Sequence, residues 1–101
     1  MQIKVHSIHF DADTSLLEFV QEKVNKLDNF YDNIISGEVF LRLDKSDNRE
    51  NKISEVKISI PGKELFAKKH GKSFEEATDE TVEAIRRQIL KFKGKQMDRT
   101  S

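Results

Sequence analysis

The sequence predicts an α+β domain with its elements in the order β-α-β-β-β-α, both helices packed on one face of a four-stranded sheet. Three observations predict it. Apolar residues alternate in four short stretches and recur at three- and four-residue steps in two longer ones. Each longer stretch carries a single apolar stripe, so both helices should cover the same side of the sheet. The three later strands are separated by connections that suit hairpins, which makes them antiparallel.

The first strand, Gln2 to Phe10, alternates at Ile3 and Val5, and the apolar parity then shifts to Ile8 and Phe10. That shift predicts a bulge or bend near Ser7. The run Asp11-Ala12-Asp13-Thr14-Ser15 follows. Ser15 with Glu18 fits a capping box and Asp13 fits an N-cap, and the sequence leaves both open. Leu17, Val20, Val24, Leu27 and Tyr31 then make one face of a helix from about Ser15 to about Phe30.

The second strand runs from about Ile35 to Leu43, with Val39, Leu41 and Leu43 on one face. Asp44 to Asn51 holds seven charged or amide residues and one serine, a solvated hairpin loop. Ile53 to Ile60 alternates again, and Pro61-Gly62 marks a tight turn. In the fourth strand, Glu64 to His70, Leu65 and Ala67 face the core while Phe66, Lys68 and His70 point away. Gly71-Lys72-Ser73 ends that strand and offers a cap. Phe74, Thr78, Thr81, Val82, Ile85, Ile89 and Phe92 share one arc of the last helix, which Gly94 is expected to stop. Residues 1–93 thus read as a single domain and residues 94–101 as a flexible polar, basic tail.

Composition narrows the function classes. At 101 residues, 36% hydrophobic and 36% charged, the chain suits one small domain with a thin core. It has no cysteine, which excludes disulfides, thiol catalysis and zinc–thiolate sites. The first residues read as a strand and lack the apolar run of a signal peptide, so a cytoplasmic protein is expected. His6, His9 and His70 lack paired metal-ligand spacing. Gly71-Lys72-Ser73 mimics the end of a phosphate-binding loop without that motif's first glycine. No constellation argues for an enzyme, a cofactor or a small-molecule substrate.

The net charge is zero, yet it is sorted along the chain. Phe74 to Glu83 holds five acids and no base, while Val82 to Ser101 holds six Lys/Arg against two acids. Acids near a helix N-terminus and bases near its C-terminus suit the helix dipole, which accounts for part of the polarity. Arg87, Lys91 and Lys95 nevertheless form an i, i+4, i+8 row on one flank of the apolar arc, and Arg86 and Lys93 lie on the other. Leu90 falls among them, outside the arc. Lys63, Lys68, Lys69 and Lys72 form a second basic cluster, and Lys23 and Lys26 a third on the first helix. Converging, these patches would bind RNA through its phosphates, without reading sequence.

These residues resemble a known family. The element order is similar to double-stranded-RNA-binding domains with one added N-terminal strand. Nearly the whole chain is similar to the short ribosome hibernation-promoting factor and ribosome-associated inhibitor family, also called sigma-54 modulation proteins. The likeness rests on Leu17-x-Phe19-Val20-x-x-Lys23-x-x-Lys26-Leu27, on Gly71 and Phe74-x-x-Ala77-x-Asp79, and on Arg87-Gln88-Ile89-x-Lys91-x-Lys93-x-Lys95. It implies a bacterial stress factor, monomeric off the ribosome, that binds the small ribosomal subunit. There it would occupy the channel of messenger RNA and of transfer RNA at the A and P sites, silencing translation without catalysis. Lys23, Lys26, Arg87, Lys91, Lys93 and Lys95 would contact ribosomal RNA phosphates. Long members carry a further C-terminal domain that pairs ribosomes; the sequence ends without one, so pairing through such a domain is not expected.

Two other readings stay open. The basic turn Lys68-Lys69-His70-Gly71-Lys72 would suit a free-standing double-stranded-RNA-binding module. The sheet face left uncovered, with Phe40 and Phe66 partly exposed, would suit a protein-interaction or oligomerisation domain.

Overall fold

The computed structural model describes residues 1–44 and 51–100, and of residues 95–100 the backbone alone. Four strands form one sheet in the order β1-β2-β3-β4: β1 (Gln2–Ile8), β2 (Ser36–Leu43), β3 (Lys52–Ile60) and β4 (Lys63–Gly71). β1 pairs parallel with β2, and the later pairs are antiparallel. Ile60 pairs with Lys63, leaving the two-residue loop Pro61-Gly62, where Gly62 takes φ +76°. That is the conformation the glycine position of a type II turn requires. At the other end of β3, the Asp44 amide donates to the Asn51 carbonyl at 2.8 Å. The expected loop between them lies outside the described residues.

Pairing along β1 is continuous from Gln2 to Ile8, so the expected bulge near Ser7 is absent. The chain bends instead at His9, which takes φ 64°. This reversal follows the end of the strand and returns Phe10 to the core side, where it stacks on Phe74 with ring centroids 4.8 Å apart. The parity shift therefore marks a strand end.

Helix α1 (Thr14–Asn25) continues into a 3₁₀ turn, Lys26–Asn29. Its N-cap is Asp13, whose carboxylate accepts from the Leu16 amide at 2.8 Å. Val20, Val24 and Leu27 are buried as expected, while Leu16 and Phe19, rather than Leu17, complete the face toward the sheet. Helix α2 (Phe74–Thr100) runs through Gly94, correcting the expected stop there. Glycine weakens a helix interior without forbidding it, and Lys, Gln, Met and Arg around it are strong helix formers.

Both helices share one core with one sheet face: Val20, Val24 and Leu27 from α1, Ile85 and Ile89 from α2, and Val39, Leu41, Val56, Ile58, Leu65 and Ala67 from the strands. Leu43, expected beside Val39 and Leu41, is exposed at the end of its strand. Three hydroxyls are fully buried between α2 and β3. Thr78 donates to Ser54 Oγ at 3.3 Å, and Thr81 to the Ser54 carbonyl at 3.2 Å and the Ala77 carbonyl at 2.6 Å. Satisfied in this way, they fix how α2 sits on the sheet.

Candidate nucleic-acid interface

The start of α2 is held tightly, which sets the direction of its basic end. Ser73 Oγ accepts from the Glu76 amide at 3.1 Å, and Glu76 Oε2 accepts from the Lys72 amide at 3.0 Å. Glu75, Glu76, Asp79 and Glu80 follow in the first two turns, near the positive end of the dipole. Further along, Gln88 Nε2 donates to the Phe66 carbonyl of β4 at 2.9 Å. This bond occupies a backbone acceptor of an edge strand, and sequence reasoning missed it.

On the α1 side of α2, three of the expected bases, Lys23, Arg86 and Lys93, are engaged with the fold. Lys23 reaches across to Asp79 at 3.2 Å and lies 5.5 Å from the Phe19 ring centroid. Arg86 packs 5.7 Å from the Phe30 ring centroid and hydrogen-bonds Glu83, with Nε to Oε2 at 2.9 Å. Lys93 Nζ donates to the Phe30 carbonyl at 2.9 Å. Phe30 thus joins the 3₁₀ turn to α2 through two cations, and neighbouring Tyr31 stacks on Phe92. The Arg86 hydrogen bond is the main cause that holds the Glu83 carboxyl below its ordinary value, against an upward push from burial. The charges of Arg86 and Arg87 add to the lowering. The same bond pushes the Arg86 guanidinium upward.

On the β4 side, Arg87 is 75% exposed and lies 3.6 Å from Glu83. It lines a shallow groove of about 400 Å³ with Lys69, Asp79, Glu80, Glu83 and Ala84. Lys91 is exposed on the same flank, one turn on. Among the described residues, Lys26, Lys69, Lys72 and Lys91 have no ion-pair partner. The side chain of Lys95 lies outside the described residues.

The cluster Lys63, Lys68, Lys69 and Lys72 does not come together. Lys68 lies on the sheet face away from the helices, 3.8 Å from Glu55, which also pairs with Arg42 at 3.2 Å. Lys69 turns to the α2 side. Lys63 sits 5.5 Å from the Phe92 ring centroid. Strand alternation alone separates Lys68 from Lys69, and the sequence held that signal.

The uncovered sheet face is largely self-satisfied. His6 stacks on Phe40 at 4.8 Å and contacts Glu38 at 2.7 Å, and Lys57 lies 3.8 Å from Glu64. Phe66 remains 49% exposed on that face. No group of three or more metal-ligating side chains gathers among the described residues, and none of their helices is long and apolar enough to cross a membrane.

Comparison with known proteins adds to this geometry. A family profile described as Sigma 54 modulation protein / S30EA ribosomal protein matches residues 3–97. The chain is 28% identical over 99 residues to a ribosome hibernation promoting factor of Azotobacter vinelandii, covering 98% of this chain and 89% of that protein. It is 32% identical over 82 residues to a ribosome hibernation promotion factor of Deinococcus radiodurans, covering 79% of this chain and 42% of that protein. A solved structure of a ribosomal subunit interface protein from Coxiella burnetii superposes with a TM-score of 0.82 at 19% identity, over 93% of this chain and 99% of that one. At that identity the likeness concerns the fold.

Proposed function

The chain belongs to the sigma 54 modulation protein / S30EA ribosomal protein family, and we propose from that premise that it is a ribosome-associated hibernation factor of the cytoplasm. In this reading it binds the small ribosomal subunit through ribosomal RNA. It lies in the channel used by messenger RNA and by transfer RNA at the A and P sites, and silences translation under stress or in stationary phase. It acts by occupancy, without a catalytic step, and is a monomer off the ribosome.

The supporting observation is the exposed basic end of α2, where Arg87 and Lys91 face solvent. Exposed cations of this kind neutralise phosphates and release counterions, which gives strong, salt-sensitive and sequence-tolerant binding. Lys26, Lys69 and Lys72 extend the charge from neighbouring elements. Lys23, Arg86 and Lys93 contribute as cations already anchored by the fold, and Lys95 continues the α2 row. Lys68, paired on the opposite sheet face, is the weakest candidate.

The test is sedimentation of purified small subunits with added protein through sucrose gradients. Wild type is expected to co-sediment and to be displaced by messenger or transfer RNA. Arg87→Glu with Lys91→Glu should weaken binding strongly and flatten the salt dependence by about one unit of slope for each phosphate no longer neutralised. Unchanged binding by that double variant would sink the phosphate-contact reading. Equal affinity for any plain RNA duplex would favour a free-standing double-stranded-RNA module instead.

A further inference from the structure

Leu90 interrupts the basic end of α2. It lies outside the arc that fills the core and remains 43% exposed, with Arg86 and Arg87 one turn before it and Lys91 and Lys93 after it. Gly94 follows at i+4, directly above Leu90 on the same face. No described atom lies within 4 Å of the position its Cβ would take, and its φ is outside the left-handed region. Among the described residues, neither packing nor backbone geometry therefore calls for glycine here. It remains, after proline, the least favourable residue for a helix interior.

We propose that Leu90 and Gly94 form an apolar seam along the basic face, on which the ribose edge of a structured RNA strand seats. Arg87 and Lys91 on one side, and Arg86 and Lys93 on the other, hold the flanking phosphates. The inference deepens the small-subunit reading and rests on it. Charge complementarity selects the occupant: Arg86 and Arg87 share the one carboxylate of Glu83, and with Lys91 and Lys93 the surround of Leu90 stays net cationic, so whatever covers Leu90 must carry negative charge close by. Gly94 itself puts no side chain on this face, which suits a sugar–phosphate ridge, and the wide, shallow minor groove of A-form RNA presents such a ridge with its 2′-hydroxyls.

The test compares full-length Gly94→Ala, Leu90→Ala and Leu90→Lys with wild type, in thermal melts and in sedimentation with small subunits over a salt series. Gly94→Ala is expected to melt higher than wild type yet bind less tightly, a pairing that a purely structural role does not produce. Leu90→Ala should melt near wild type and bind about fivefold less tightly, with an unchanged salt slope. Leu90→Lys should bind no tighter than wild type despite its added charge. Wild-type affinity in both alanine variants, or tighter and more salt-sensitive binding by Leu90→Lys, overturns the seam and leaves the phosphate reading standing. Failure of wild type to co-sediment overturns the small-subunit reading, and the seam with it. The chain has no cysteine, so a photo-crosslinker on Leu90→Cys reports what lies over this position. Attachment to ribosomal RNA is expected, and attachment to a ribosomal protein overturns RNA as the occupant.

Discussion

Replacing Gly71 with alanine tests how α2 is aimed. Gly71 is the last residue of β4 and is buried. A Cβ there would lie 2.9 Å from the Ala77 amide nitrogen, 3.1 Å from the Ser73 carbonyl oxygen and 3.2 Å from Ala77 Cα. All three are backbone atoms at the start of α2, so no change of rotamer relieves the crowding. The helix start must move away from β4, and that movement works against the Thr78 and Thr81 bonds to Ser54. Overpacking of this kind costs about 1–3 kcal/mol. A domain of this size loses about 4–8 °C in melting temperature per kcal/mol, so a cost of ~2 kcal/mol lowers the midpoint by about 8–16 °C. In urea, with a slope of about 1–2 kcal/mol/M, the midpoint falls by about 1–2 M. Circular dichroism during heating and urea titration reads both. Gly94→Ala serves as control in the same helix and should instead stabilise by up to about 1 kcal/mol. A Gly71→Ala protein within about 0.5 kcal/mol of wild type would refute the close-approach argument, since that is the range of ordinary surface substitutions.

Other perturbations have defined outcomes. Asp13→Ala should cost about 1 kcal/mol in urea titration while Ser15→Ala costs almost nothing; the reverse order would assign the cap to Ser15. A double-mutant cycle on Lys23 and Asp79 should return a coupling of about 0.2–1 kcal/mol at low salt, shrinking as salt rises, because both groups are partly solvated. A salt-independent coupling would contradict a screened pair. Glu83 has a folded pKa below its ordinary 4.5, so its contribution is present above that value and is lost as pH falls through the lower folded value. Glu83→Gln should therefore flatten the acid limb of the stability–pH curve, and identical limbs in variant and wild type would remove Glu83 from it.

Several features of the interface were legible in the chain. Apolar periodicity placed the bases on the two flanks of α2, and Leu90 was visible as an apolar residue outside the arc. The split between Lys68 and Lys69 was also legible, since neighbours in a strand point to opposite faces, but counting bases along the sequence obscured it. The ties of Lys23 to Asp79 and of Lys93 to the Phe30 carbonyl were not legible. The latter joins residues 63 apart in sequence, and only the packing of α2 beside α1 brings them within reach.

The sequence by itself determined the element order, the shared helix face and the antiparallel later strands, because these follow from local periodicity and turn chemistry. Only the tertiary structure decided which cations are held and which are free. It also chose Asp13 over Ser15 as cap, moved the bend from Ser7 to His9, and carried α2 through Gly94. Each of those outcomes is a competition between options that are locally close in energy. The winner was set by contacts between residues distant in the chain, or by how neighbouring residues add up.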